Sequence, residues 1–367
     1  MTIQTRVPAA MLAALLASLT LATPPARAQG AADPFTMAGP ERQQRLLEGA
    51  RKEGVVNLYT SMNEKDVRAL AAAFEKKYGI KAVVWRSGKN KVLQRTLAEA
   101  QAGRAEVDVV HNPAPEMEAL RQEKQLRPMR SPYVADLITG TVPAHGEWVP
   151  LRVYVFVQAY NTQAVKPDEV PKRWEDLLDA RWKGRLGIEA KEQEWFATLA
   201  GAQGEARTFG FFRDLTAKNG LSVRSGNSLL LNMVISGEVP FALTMYSYLA
   251  DQAKQKGAPV DYVALKPTIA YTDGVGIMQK APHPYAAMLF VDFLLSDGEL
   301  IMKEQKQLTA HRRDQAQVAA FAPVYIDPTR VLVDYDKWTQ AYEEAIQGRG
   351  PAPGSAPSAP APNLKKP

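Results

Sequence analysis

Apolar residues recur along this chain with two alternating periods. Val55-Val56-Asn57-Leu58-Tyr59 is a β-branched-rich run that stops at Thr60-Ser61 and reads as a strand. Ser61 and Glu64 have the spacing of a capping box. The helix predicted to follow places Val67, Leu70, Ala71, Phe74 and Tyr78 on one face, and Gly79 suits its end. Lys81 to Trp85 is a second strand ending at Ser87-Gly88, followed by a helix carrying Leu93, Leu97 and Ala100. Val107 to Val110 is a third strand, ending at His111-Asn112-Pro113, and Pro115 starts the next helix. This alternation with short connections predicts a parallel sheet covered on both faces.

Leu151 to Tyr160 is an extended run longer than an ordinary strand. It is expected to cross into a second lobe, where the alternation restarts. Trp174–Leu178 reads as a short helix and Leu186–Glu189 as a strand. Residues 194–219 read as helix interrupted around Gly201 to Gly204. Leu221–Arg224 and Val239–Thr244 read as strands flanking a helix over Ser228–Ile235. Ile269–Gln279 looks like a return to the first lobe, where helices over Pro284–Leu295 and Trp338–Ile346 are expected to pack. The expected fold is α/β: two Rossmann-like lobes joined by crossing strands, with a ligand cleft between them. The first lobe would take residues 29–150 and 268–347, and the second 151–267.

The ends narrow the setting. Arg6, the apolar run Ala9–Leu21 and Ala26-Arg27-Ala28 have the order of an export signal cleaved near Ala28, leaving Gln29 first. The apolar run falls short of the roughly 20 residues a spanning helix needs. A periplasmic, non-membrane-inserted protein is expected. Residues 348–367 are nearly all Gly, Pro, Ala and Ser before Lys365 and Lys366, a composition that predicts an extended tail without a binding role. With 46% hydrophobic and 23% charged residues, the chain between can bury a sizeable core. Cysteine is absent, which removes disulfides, thiolate nucleophiles and Cys-ligated zinc together. The net charge of +6, or +4 once Arg6 and Arg27 are removed with the leader, is interspersed with acids and argues against a nucleic-acid-binding face.

Chemistry is expected where strands of an open parallel sheet end and helices begin, because unpaired N–H groups there favour anions. Four loops qualify: Tyr59-Thr60-Ser61, Ser87-Gly88-Lys89, His111-Asn112 and Ser225-Gly226-Asn227-Ser228. The first three belong to one lobe and the fourth to the other, so a ligand clamped between lobes would touch both sets. Capping is the plainer use of Ser61, Asn112 and Asn227. Arg152 interrupts an apolar strand and needs an anionic partner, either a structural carboxylate or the ligand. Arg86 is expected on the solvated surface. Tyr246 and Tyr248 follow a strand and are candidates to line the cleft. There is no P-loop, no His-Glu-x-x-His and no Gly-x-Ser-x-Gly, so neither an enzyme nor a cofactor is expected.

Val-Val-Asn-Leu-Tyr-Thr-Ser after a short helix, Trp-Glu-Asp-Leu-Leu-Asp with Trp182-Lys183-Gly184, and Gly-Val-Gly-Ile with Ala281-Pro282-His283-Pro284 resemble the ferric-iron type of ABC-importer solute-binding proteins. The resemblance runs from about Val55 to Leu308. It implies two α/β lobes joined by crossing strands, a cleft between them and a membrane permease with its ATPase as partner; a small-molecule ligand and a monomer are expected. Iron-binding members place a His in the first loop, a Glu in the second and adjacent tyrosines in the second lobe. Alignment by eye puts Asn63, Lys91, Ser247 and Tyr248 there, with Tyr246 just before. A lysine in place of a carboxylate suits a hard trivalent cation poorly. A phosphate-, phosphonate- or carboxylate-bearing ligand is therefore expected at Thr60, Ser61, Asn63, Ser87, Gly88, Lys89, Asn112, Arg152, Gly226, Asn227, Ser228, Tyr246 and Tyr248. Ferric iron held with an anion, through Tyr246 and Tyr248, is the alternative.

Overall fold

A computed structural model of the protein describes residues 33–348. The expected leader over 1–28 and all but the first residue of the expected tail lie outside them. Helix α1 (Arg42–Glu53) leads into β1 (Val55–Thr60), α2 (Glu64–Tyr78), β2 (Lys81–Arg86), α3 (Lys89–Gln101), β3 (Val109–Pro113) and α4 (Ala114–Gln122). The short β4 (Leu126–Arg127) precedes the long β5 (Trp148–Asn161). Beyond it come β6 (Leu186–Glu189), α5 (Gln193–Gln203), α6 (Glu205–Asn219), β7 (Ser222–Arg224), α7 (Asn227–Ser236), β8 (Phe241–Tyr246), α8 (Ser247–Gln255) and β9 (Val260–Val263). The chain continues through β10 (Ile269–Met278), α9 (Pro284–Leu295), β11 (Leu308–Thr309) and β12 (Val324–Tyr325) to a last helix, Tyr335–Ile346.

The strand order is β2-β1-β3-β10-β5-β8-β6-β7. β1 pairs in parallel with β2 and β3, as the alternation predicts, but β10 runs antiparallel to both β3 and β5. β5 is the crossing element. Residues Trp148–Val155 pair with β10, whereas Phe156–Asn161 pair with β8 and β9. Its side chains are buried almost throughout, which explains an apolar run without alternation. Two bodies of core result. One gathers Leu58, Val67, Leu70, Phe74, Val275 and the apolar face of α9. The other gathers Phe156, Trp182, Trp195, Phe196, Phe212 and Phe241.

Two readings need correction, and one helix was not anticipated. The predicted capping box does not form: α2 begins two residues later than that spacing requires, with Asn63 at the N-cap. Ser247 and Tyr248 open a helix, α8, that the hydrophobic pattern did not signal. The last helix, expected to close the first lobe, packs on α5 and α6 instead. Its buried stripe Trp338, Tyr342, Ala345 and Ile346 packs there, with Trp338 and Tyr342 against the rings of Phe196 and Phe209. No helix among the described residues is long and apolar enough to cross a membrane.

Candidate functional site

A cavity of about 610 Å³ lies where the two halves of the fold meet. It is lined from the first half by Ser61, Asn63, Arg86, Ser87, Gly88, Lys89 and Lys91, and from the second by Glu189, Lys191, Glu192, Gly226, Asn227, Ser228, Tyr246 and Tyr248. Tyr154, Tyr271 and Asp273 of the paired strands β5 and β10 complete it. Four helices, α2, α3, α7 and α8, begin at this wall, two from each half. The first-turn N–H groups of a helix have no acceptor within the helix and carry partial positive charge. Gly226, at the N-cap of α7, has φ 103°, ψ 123°, a conformation that side-chain-bearing residues rarely adopt. The loop 225–228 needs glycine there to turn the start of α7 toward the cavity.

Of the residues expected from sequence, Thr60, Asn112 and Arg152 do not line the cavity; they lie beneath it, fully or almost fully buried. Thr60 Oγ1 accepts from the Met62 N–H at 3.0 Å and bonds His111 Nδ1 at 3.0 Å, shaping the turn into α2. Asn112 donates to the Lys89 carbonyl at 3.0 Å. Arg152, open between two partners in the sequence, has the structural one. Its Nε donates to Asp273 Oδ2 at 2.8 Å, its backbone N–H to Asp273 Oδ1 at 2.9 Å, and its Nη1 to Gln307 Oε1 at 2.9 Å. His111 Nε2 also meets Asp273 Oδ2, at 2.7 Å. Burial holds His111 below its ordinary value. Burial alone would raise Asp273, but Arg152 and His111 outweigh it and hold the carboxyl at about 2. With its guanidinium committed to Asp273 and Gln307, Arg152 acts as a structural partner.

Lys89 spans the two halves. Its Nζ donates to Glu194 Oε1 of α5 at 2.8 Å and lies 3.8 Å from Glu116 Oε1 of α4. A second bridge joins Asn63 Nδ2 to the Tyr248 hydroxyl at 2.8 Å. The Tyr246 hydroxyl donates instead to Glu192 Oε1 at 2.9 Å, which also accepts from Asn227 Nδ2 at 3.0 Å. The two hydroxyls that would serve iron are thus bonded to different partners, although their rings stack with centroids 6.2 Å apart. Burial raises both phenols above their ordinary value, and Glu192 adds to the rise at Tyr246. Ser247, aligned by eye with an iron-ligand tyrosine, is buried and does not line the cavity.

Sequence reasoning missed the acidic lining and half of the aromatic lining. Glu189 accepts from the Gly226 N–H at 2.8 Å and from the Lys191 N–H, so a built-in carboxylate sits beside the start of α7. Burial pushes Glu192 up to about 8, with Lys89 pulling it down and Glu189 and Glu194 adding to the rise. Tyr154 and Tyr271 stack with centroids 4.7 Å apart and both meet Tyr246 edge-on. The sequence placed these two only within extended runs; the structure's register pairs Tyr154 with Tyr271. Arg86, expected on the surface, is exposed yet lines the cavity mouth and donates to the Met62 carbonyl at 2.9 Å.

The family model for bacterial extracellular solute-binding proteins matches residues 69–303. The Fe(3+)-binding periplasmic protein of Serratia marcescens is 24% identical over 262 residues, covering 68% of this chain and 76% of its own. Among solved structures, the substrate binding protein of an ABC transporter from Agrobacterium tumefaciens aligns with a TM-score of 0.70 at 15% identity, covering 81% of this chain and 97% of that one. The periplasmic binding protein AfuA from Actinobacillus pleuropneumoniae, with fructose-6-phosphate bound, aligns with a TM-score of 0.63 at 21% identity, covering 80% and 97%. At these identities the likeness establishes the two-lobed periplasmic-binding-protein fold.

Proposed function

This chain belongs to the bacterial extracellular solute-binding proteins, and from that premise we propose that it is the periplasmic receptor of an ATP-driven importer, capturing a small phosphate-, phosphonate- or carboxylate-bearing anion by lobe closure. One observation carries the reading: four helix N-termini, two from each half of the fold, open on a single cavity. Such termini favour anions. A ligand touching both halves binds the closed form better than the open one, which is what drives closure. In this reading the second lobe takes residues 151–267 together with the last helix, and the rest of residues 34–347 form the first. The ligand contacts are Ser61, Asn63, Ser87, Gly88, Lys89, Gly226, Asn227, Ser228, Tyr246 and Tyr248. Thr60, Asn112 and Arg152 support them from below.

Iron is the ligand named for the Serratia marcescens relative. In this chain Asn63 and Lys91 stand where the resemblance places a His and a Glu, and both cavity phenols are held toward their protonated form. These features support the anion over bare iron. Mass spectrometry of the small molecule released by denaturing natively purified protein tests the proposal. The expected result is an anion recovered chemically unchanged, from a chain whose N-terminus is at or near Gln29. A neutral ligand, or iron without an accompanying anion, would overturn the anion reading and leave the receptor reading standing. A ligand converted to product on incubation would overturn both.

A further inference from the structure

The walls of the cavity differ in charge. The first-half wall carries Arg86, Lys89 and Lys91, whereas the second-half wall carries Glu189 and Glu192, with Lys191 exposed at its edge. Behind Glu192 lies a recess of about 20 Å³; Lys89, Glu192, Tyr246 and Tyr271 line both it and the main cavity, and Glu194 with the apolar Pro115, Phe156 and Ile326 lines the recess alone. Glu116, Glu192 and Glu194 are each 5% exposed or less. Glu116 and Glu194 each leave a buried Oε2 without a partner. Glu192 Oε2 accepts no hydrogen bond among the described residues, both of its donors going to Oε1. One ammonium, Lys89, faces all three carboxylates. The nearby guanidinium of Arg152 is engaged by Asp273.

Three buried carboxylates against one ammonium leave negative charge that must be neutralised by protons or by a further cation. We infer that the anionic ligand also carries a protonated amine, and that Glu192 receives this amine beside the rings of Tyr246 and Tyr271 while the helix N-termini hold the anionic end. This deepens the anion reading and rests on it. An ammonium suits the place on two counts. It supplies the N–H donor that Glu192 Oε2 lacks, and aromatic rings attract a cation at their faces. The charge balance is explicit. With Glu192 raised to about 8 by burial, and further by Glu189 and Glu194 against the pull of Lys89, the empty cavity holds a proton on it near neutrality. An arriving ammonium takes over the neutralising role, so the carboxyl O–H bond breaks and one proton leaves for solvent.

Calorimetry at neutral pH, in two buffers of different ionisation enthalpy, tests this with matched ligands: O-phosphoethanolamine against ethyl phosphate, and β-alanine against propionate. The amine-bearing member of each pair should bind about tenfold to a hundredfold tighter, as expected for a charged hydrogen bond, and with release of about one proton per ligand bound. Glu192→Gln keeps the shape and an acceptor for Tyr246; it should abolish both the preference and the proton release. The paired comparison in the wild type needs no variant, so the inference stays testable if Glu192→Gln does not fold. Equal binding of both members by the wild type would overturn the inference and leave the anion reading intact. Binding of neither member of either pair would overturn both.

Discussion

The two walls of the cavity show how differently one site can be assembled from one chain. The first-half wall consists of strand-to-helix turns, Ser61 to Asn63 and Ser87 to Lys91, and its polar groups are half-buried or exposed. The second-half wall consists of the segment 189–192, the start of α7 and the start of α8, and its Glu189, Glu192 and Tyr248 are almost fully buried. The last helix stiffens it. The Tyr342 hydroxyl donates to the Glu189 carbonyl, and Gln193 Nε2 donates to the Tyr335 hydroxyl at 2.8 Å. A hydrated basic wall is suited to drawing an anion in, since charge steers encounter. A desolvated acidic and aromatic wall discriminates, because each unmatched group there costs more than it would in water.

The strongest test of this division concerns the floor between the walls. If Arg152 belongs to neither wall, Arg152→Ala should damage folding rather than recognition. Removing one partner of a buried pair costs about 3–5 kcal/mol, read as a lower midpoint in urea or guanidinium unfolding. A variant as stable as wild type but weakened in ligand binding would return Arg152 to the ligand. Acid gives a second check on the same pair. The Asp273 carboxyl lies at about 2 when folded, against 3.8 ordinarily, so its stabilisation is complete above the higher value. It should be lost as pH falls through the interval toward 2, and Asp273→Asn should lose that part of the acid dependence.

What the sequence made legible follows the same line between the walls. A break in hydrophobic period at Thr60-Ser61, Ser87-Gly88 and Ser225 to Ser228 marks a strand end and a helix start, and a sheet of this kind brings such ends together. Local signals therefore located the first wall and the loop 225–228. The acidic wall has no local signal. Glu194 is burial-tolerant only because Lys89, 105 positions away, meets it, and Arg152 found Asp273 across 121 positions. Ser247 fell on an iron-ligand position by alignment, yet it begins a helix and points its burial elsewhere than the cavity. The stripe on the last helix specified an apolar partner without saying which lobe would provide it. Pairing across distance, not propensity, decided each of these.

Titration should sharpen the contrast, because Glu192 of the acidic wall and Glu116, which faces it from α4 through Lys89, both carry raised carboxyls. Burial raises Glu116 to about 7, with Lys89 opposing and Glu194 adding, and it raises Glu192 to about 8. Both lie above the ordinary 4.5, so the folded state binds more protons than the unfolded one in between. Stability then falls as pH rises, starting near 4.5 and levelling off above about 8. Thermal unfolding of the ligand-free protein across that window should show this decline. Glu192→Gln should flatten its upper part, while Lys91→Ala on the basic wall should leave it unchanged. A profile flat from 4.5 to 8 would mean that these carboxyls titrate normally and that the acidic wall is more hydrated than its packing indicates.

The smallest expected effect comes from a neutral hydrogen bond that joins the two walls across the cavity. The Asn63 amide donates to the Tyr248 hydroxyl at 2.8 Å, and neither group is charged. Tyr248→Phe deletes the acceptor and keeps the ring against Tyr154 and Tyr246. The loss should be about 0.5–1.5 kcal/mol, the range for a neutral intramolecular hydrogen bond. Because the bond exists only when the halves are together, that energy belongs to closure rather than to either lobe. Small-angle scattering of the ligand-free variant should therefore show a more open average shape than wild type. Unfolding midpoints should move little, since the packing of Tyr248 is retained. Asn63→Ala should open the protein to a similar degree, and the double variant should add almost nothing to either single change. Additive opening in the double variant would mean that the two residues act on closure through separate contacts, and that the walls are held together mainly by Lys89.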